Sequence, residues 1–182
     1  LHPITAELFE AGVHAKLECV DCHTYIVDNE APHQKKEPAT RPDCAGCHTE
    51  LWETARKEGR LSEKPRFSVI MANIKSYQDS FHARPLTDNP DQVNATCHQC
   101  HNTHTFNVPP RDSAERTEWH LATPQICGSC HDFALEEYEY SVHGQLVMEE
   151  GNADAATCID CHTSHAIGGT SASPVRLAIT EK

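Results

Sequence analysis

The chain is short of the material that ordinary domains are built from. Hydrophobic residues fill 38% of its 182 positions and aromatics only 6%, whereas a typical globular domain is about 45–50% apolar. That is too little apolar side chain for a self-sufficient core, so something else must fill the interior. Long apolar runs are missing as well. The longest, Val69-Ile70-Met71-Ala72, falls far below the about 18 residues of a membrane-spanning helix. No signal peptide opens the sequence, which starts at Leu1-His2-Pro3 as mature, exported material would. Positive charge is scarce: 15 Lys and Arg stand against 27 Asp and Glu, a formal net charge of -12. Such a field repels nucleic acid and anionic lipid and favours basic or metal-bearing partners, although an acidic surface also serves plain solubility.

Two residue types run the other way: there are 10 Cys and 14 His. Every cysteine belongs to a Cys-x-x-Cys pair, and every pair is followed at once by His. The five sets are Cys19/Cys22/His23, Cys44/Cys47/His48, Cys97/Cys100/His101, Cys127/Cys130/His131 and Cys158/Cys161/His162. Cys-x-x-Cys-His is the attachment site of c-type haem. Two thiols at this spacing reach the two vinyl groups on one haem edge as thioethers, and the adjacent imidazole swings under the iron as proximal ligand. Disulfides, zinc knuckles and thioredoxin-like centres also use paired cysteines. None of them demands His after every second Cys, and a thioredoxin site needs a βαβ context that is absent. The reading is therefore five covalently held haems c, each with its iron.

The sequence also repeats itself. At an offset of about 61 residues, Ser80-Phe81-His82 and the motif Cys97-x-x-Cys100-His101-x-x-His104 fall on Ser141-Val142-His143 and Cys158-x-x-Cys161-His162-x-x-His165. Ala95-Thr96 falls on Ala156-Thr157, and Tyr77 on Tyr138. A shortened copy, Glu7 to His14, opens the chain. The unit is a haem pair, which divides the sequence into modules 1–43, 44–126 and 127–182 within one continuous haem-stacked domain. The pattern runs off both ends, as in a fragment of a longer cytochrome or a subunit continued through its neighbours.

Regular structure should be sparse: mostly coil with short α-helices, little or no β, wrapped around a stack of five haems. Thr49 to Arg60 reads as a helix leading from a motif. Phe67, Ile70, Ile74, Tyr77 and Phe81 step by three and four and read as an amphipathic helix facing haem. Phe133 to Val142 is a third helix. Asp28–Pro42 and Val108–Glu115 carry Pro and charge and read as loops.

Nine histidines remain once the proximal ligands are assigned, and there are only two Met, Met71 and Met148. Bis-His ligation is thus the default. The repeat selects His14, His82 and His143, placed upstream of a motif, and His104 and His165, each three residues past a proximal His. A residue three positions along a helix lies on the same face, so His104 and His165 cannot reach round their own haem and should ligate a neighbouring one. His2, His33 and His120 are further distal candidates. His98, inside a motif, should face solvent or stack on haem.

With five motifs, Ser-x-His upstream and Cys-x-x-Cys-His-x-x-His, the chain from His14 to His165 resembles the multihaem c-type cytochromes of respiratory bacteria and archaea. Periplasmic pentahaem carriers and subunits of extracellular cytochrome filaments are among them. The resemblance implies haems in alternating parallel and perpendicular pairs, low potentials, and a periplasmic or extracellular location. It implies electron transfer to redox partner proteins or extracellular acceptors, or in the filament form through copies of the chain itself. Multihaem nitrite and hydroxylamine enzymes share the motif pattern. The Cys-x-x-Cys-Lys variant of the nitrite enzymes is missing here, and enough histidines exist to cap every iron, so catalysis is not expected.

Overall fold

The computed structural model describes residues 4–26 and 42–168. His2, His33 and the loop Asp28–Pro42, Pro42 excepted, lie outside the described residues. The described chain is a succession of short helices: α1 (Ala6–Glu10), α2 (Cys19–Cys22), α3 (Cys44–Lys57), α4 (Pro65–Gln78), α5 (Cys97–Cys100), α6 (Ala114–Leu121), α7 (Thr123–Gly128), α8 (Asp132–Glu139), α9 (Val142–Gly144) and α10 (Cys158–His162). A 3-10 turn, Leu61–Glu63, and a π-turn, Gln145–Glu149, complete the set. Among the described residues extended pairing is confined to an isolated bridge between Pro85 and Val93. No described helix is long and apolar enough to cross a membrane.

Local chemistry explains where these helices start. Cys44 begins α3 because the Asp43 carboxylate accepts from the Gly46 N–H at 2.8 Å, satisfying an amide that has no partner within the helix. Arg56 and Lys57 in its last turn suit the negative end of the dipole. The helix expected from Thr49 thus begins five residues earlier, at the motif itself. Ser113 caps α6, so a helix begins inside the segment read as loop up to Glu115. The apolar stripe expected to run to Phe81 stops at Gln78, where the Ser80 N–H turns back to the Tyr77 carbonyl at 2.9 Å. None of the residues of α4 is buried.

The chain forms two units, residues 1–72 with 102–107 and residues 73–101 with 108–182, and α4 runs from the one into the other. In the first, Val13 N–H donates to the Phe106 carbonyl at 2.9 Å. A Cβ on Gly12 would stand 3.1 Å from the His104 carbonyl oxygen and 3.4 Å from that of Phe106, so the close approach of these two strands of chain requires glycine. In the second unit the repeat acquires a physical meaning. The Tyr77 hydroxyl donates to the Ala95 carbonyl at 2.7 Å, and its counterpart Tyr138 donates to the Ala156 carbonyl at 2.8 Å. Each pair ties the segment ahead of an upstream His to the residue two positions before a motif.

Neither unit holds an ordinary core. Among the described residues the buried hydrophobic side chains are Ala55, Val147 and Ala155, three small groups that could not offset the entropy of ordering such a chain. Two buried polar atoms, His48 Nδ1 and Ser80 Oγ, also find no hydrogen-bond partner in the protein, a deficit of about 1–3 kcal/mol each if nothing else satisfies them.

Candidate haem sites

The five motifs are placed alike, each starting a helix at its first Cys or, for Cys127, ending one. Three of the starts are capping boxes: Glu18 with Asp21, Thr96 with Gln99, and Thr157 with Asp160. The last residue of each box is the second x of Cys-x-x-Cys, so the box fixes the helical turn that sets the two thiols on one side. This was readable in the sequence, because an acceptor three positions before Asp or Gln is a recognised helix-start pattern.

No two of the described cysteines are joined to each other as a disulfide. Among the described residues, no three or more His, Cys, Asp or Glu are grouped as one metal-ion site. Sulfurs of neighbouring motifs lie close together. Burial and then the nearby Cys47 push the Cys22 thiol up, and burial and then Cys130 do the same for Cys100. Cys127 is raised chiefly by its hydrogen bond with Cys158, whose own thiol is lowered to about 7 by the same contact.

The histidines carry the decisive geometry. His14 and His48 have ring centroids 6.1 Å apart, His23 and His104 6.1 Å, His82 and His131 6.1 Å, and His101 and His165 6.0 Å. Rings in van der Waals contact would be far closer. With a nitrogen–metal bond of about 2.0 Å, two imidazoles on opposite sides of one metal ion have centroids about 6.2 Å apart. Four gaps thus have the width of one coordinated iron. The ring planes meet at 47° for His14/His48, 11° for His23/His104, 26° for His82/His131 and 23° for His101/His165.

Hydrogen bonds orient several of these rings. His14 Nδ1 lies 3.3 Å from the Thr103 carbonyl, His23 Nδ1 3.3 Å from the Tyr25 hydroxyl, and His165 Nδ1 3.2 Å from Ser164 Oγ. Engaging Nδ1 leaves Nε2 for a metal. Tyr25, Ser164 and the Thr103 carbonyl carried no signal in the sequence, since a lone Tyr or Ser beside a His is common. Burial lowers the imidazoles of His48, His82, His101 and His165 below their ordinary range. For the first three, the facing ring lowers them further. The neutral, ligating form is therefore favoured.

Four histidines stand apart. Among the described residues neither His143 nor His162 faces another imidazole. His120 Nε2 is already committed, 3.0 Å from Asp160 Oδ2 and 3.2 Å from Thr157 Oγ1, where it braces the cap of α10. His98 is exposed, and its Nδ1 lies 2.8 Å from Thr96 Oγ1.

The family comparison agrees with this chemistry. Residues 13–173 match the model of the outer membrane cytochrome MtrC/MtrF-like family, domains II/IV, a span that takes in all five motifs. No curated protein and no solved structure matches the chain. The match brings haem c with its iron, a location at the cell surface, and electron transfer rather than catalysis. The chain belongs to the MtrC/MtrF-like outer membrane cytochromes.

Proposed function

We propose that the chain conducts electrons through five closely packed haems c, bound by Cys19 and Cys22, Cys44 and Cys47, Cys97 and Cys100, Cys127 and Cys130, and Cys158 and Cys161. The observation that carries this reading is the set of four imidazole pairs at 6.0–6.1 Å. His48, His23, His131 and His101 are the proximal ligands of four irons, with His14, His104, His82 and His165 respectively as their distal partners. When bound, the haems supply a one-electron couple at each iron and a path for electrons between neighbours.

The residues of the chain do the rest. Capping boxes hold three of the thiol pairs, Cys19/Cys22, Cys97/Cys100 and Cys158/Cys161, in attachment geometry. Tyr25, Ser164 and the Thr103 carbonyl fix imidazole orientation and raise ligand basicity, which favours the ferric state. Crossed ligation ties separate motifs together: His104, three residues past one proximal His, serves the iron over His23, and His165, three residues past another, serves the iron over His101. Capping both faces of an iron leaves no position for a substrate, in keeping with conduction. The net charge of -12 lowers the potentials further and suits basic or metal-bearing redox partners, or a mineral or metal acceptor outside the cell.

Intact mass and a pyridine haemochrome assay of the secreted protein test the reading directly. Five covalent haems per chain, reduced over a broad window of low potential, are expected. Fewer than five would overturn it.

A further inference from the structure

Two pairs of distal ligands are each carried on one small clasp of backbone. In the first unit, the Val13 N–H, beside His14, donates to the Phe106 carbonyl at 2.9 Å, and Phe106 lies two residues past His104. In the second unit, the Phe81 N–H, beside His82, donates to the Ile167 carbonyl at 2.7 Å, and Ile167 lies two residues past His165. The repeat thus places the same bond in both copies: the residue before an upstream His is tied to the chain just after a Cys-x-x-Cys-His-x-x-His motif. In both, the approach is close. A Cβ on Gly12 would stand 3.1 Å from the His104 carbonyl oxygen, and Ser80, which occupies the place of Gly12, is only 4% exposed.

In the first clasp, His14 Nδ1 also lies 3.3 Å from the Thr103 carbonyl, so the segment that bears one distal ligand orients the other. Asn102 shapes that segment. Its carboxamide oxygen accepts from the N–H groups of His104 and Thr105 at 3.3 and 3.4 Å, a local turn that sets where His104 leaves the backbone. The rings on each clasp face the proximal ligands of two motifs that are consecutive in the sequence. His104 and His14 face His23 and His48, and His165 and His82 face His101 and His131. Sulfurs of the same motifs lie near each other, Cys22 by Cys47 and Cys100 by Cys130.

We propose that each clasp joins two irons into one ligand-switching pair, those over His23 and His48 and those over His101 and His131. Loss of the distal imidazole at either iron of a pair weakens the distal bond at the other. The proposal rests on the five-haem reading above. Val13, Phe106, Phe81 and Ile167 are positioning residues, since their backbone groups act through the histidines beside them. Closed, a clasp aims both imidazoles at iron, and in the first the Thr103 carbonyl draws on the Nδ1 proton of His14 and raises the basicity of its ring. When His104 leaves its iron, residues 102–107 lose that anchor, and His14 then loses the two carbonyls that hold and orient it. The effect runs equally in the other direction, because coupling between two sites is reciprocal.

The test is carbon monoxide binding to the reduced holoprotein, followed by absorbance, in ligand variants from both clasps. His14→Ala, His104→Ala, His82→Ala and His165→Ala should each open one iron and also raise the affinity of a second, and only a second, by about tenfold over the parent. The double variant His14→Ala/His104→Ala opens both irons of one pair and leaves the rest as in the parent. The double variant His104→Ala/His82→Ala opens one iron in each pair, so two further irons gain. Gly12→Ala keeps every ligand and should raise the affinity of two irons together, which tests the clasp even where a histidine variant fails to fold. Single variants in which no second iron gains overturn the proposal, as do within-pair and cross-pair double variants that bind alike, or a Gly12→Ala isotherm identical to that of the parent. A haem count below five by intact mass would instead overturn the reading on which the proposal rests.

Discussion

Replacing His82 by alanine removes one of two rings that stand 6.1 Å apart and opens one iron in five. On the proposed ligation, about one-fifth of the low-spin absorbance is lost and a carbon monoxide-binding haem appears. The bond from His82 to the iron over His131 also closes a loop of about 49 residues, and a cross-link of that span constrains the unfolded chain by about 4 kcal/mol in the loop-entropy model. Other histidines can take the vacant position in the unfolded chain and soften the loss, so about 2–4 kcal/mol is expected. Guanidinium unfolding of the holoprotein, followed by far-ultraviolet circular dichroism, should show a midpoint lower by about 0.5–1 M. Free imidazole should restore the low-spin spectrum without restoring the midpoint, because it fills the iron but does not tie the chain. His98→Ala serves as control and should leave every haem low-spin. An unchanged spectrum for His82→Ala, or a midpoint no lower than that of the control, would refute the pairing.

Three further outcomes follow from particular contacts. Tyr77→Phe and Tyr138→Phe each remove one hydroxyl-to-carbonyl bond, so each should cost about 1 kcal/mol in chemical unfolding, and the double variant about 2 if the sites are independent. Gly12→Ala forces a Cβ to within 3.1 Å of the His104 carbonyl; a loss of about 1–3 kcal/mol with disturbed spectra of the two haems over His23 and His48 is expected, and no haem should be lost by mass. His120→Ala should leave all haems low-spin while weakening the cap of α10 by about 1 kcal/mol. Although burial alone would raise the Asp160 carboxyl, its bonds to Thr157 and His120 hold it below the usual range. The cap's contribution is therefore complete above the ordinary aspartate pKa and is lost as pH falls through the depressed one, and acid titration of helicity should show that loss at lower pH in the parent than in the variant, which keeps only the Thr157 bonds.

The attachment chemistry was legible because it is local: thiol spacing and the adjacent His are set by three or four consecutive residues. The sparse helical class was legible for the complementary reason, since a composition this poor in apolar residues leaves only short capped turns. Starts such as Asp43 and Ser113 are set by single capping side chains, which apolar periodicity does not report. The pairing of rings was only half legible. Equivalence under the repeat singles out His14, His82 and His143 together, yet among the described residues only the first two have a facing ring. Repeats report that positions share a local role; they do not report how many partners remain. His120 illustrates the converse, for nothing in the spacing of a lone His reveals that Asp160, 40 residues later, will claim its nitrogen.

The order of the imidazole pairs along the chain bears on how such a protein is assembled. A polypeptide that emerges amino end first presents the His23 motif early, but the ring that faces it, His104, appears only after about 80 further residues. His14 and His48 emerge close together and can engage at once. On the ligation proposed here, the haem of the His23 motif waits while about 80 further residues follow, with one face open to any passing histidine, whereas the later haem of the His48 motif is completed before it. On that ligation, any histidine that binds the open face early must be released before His104 can take its place.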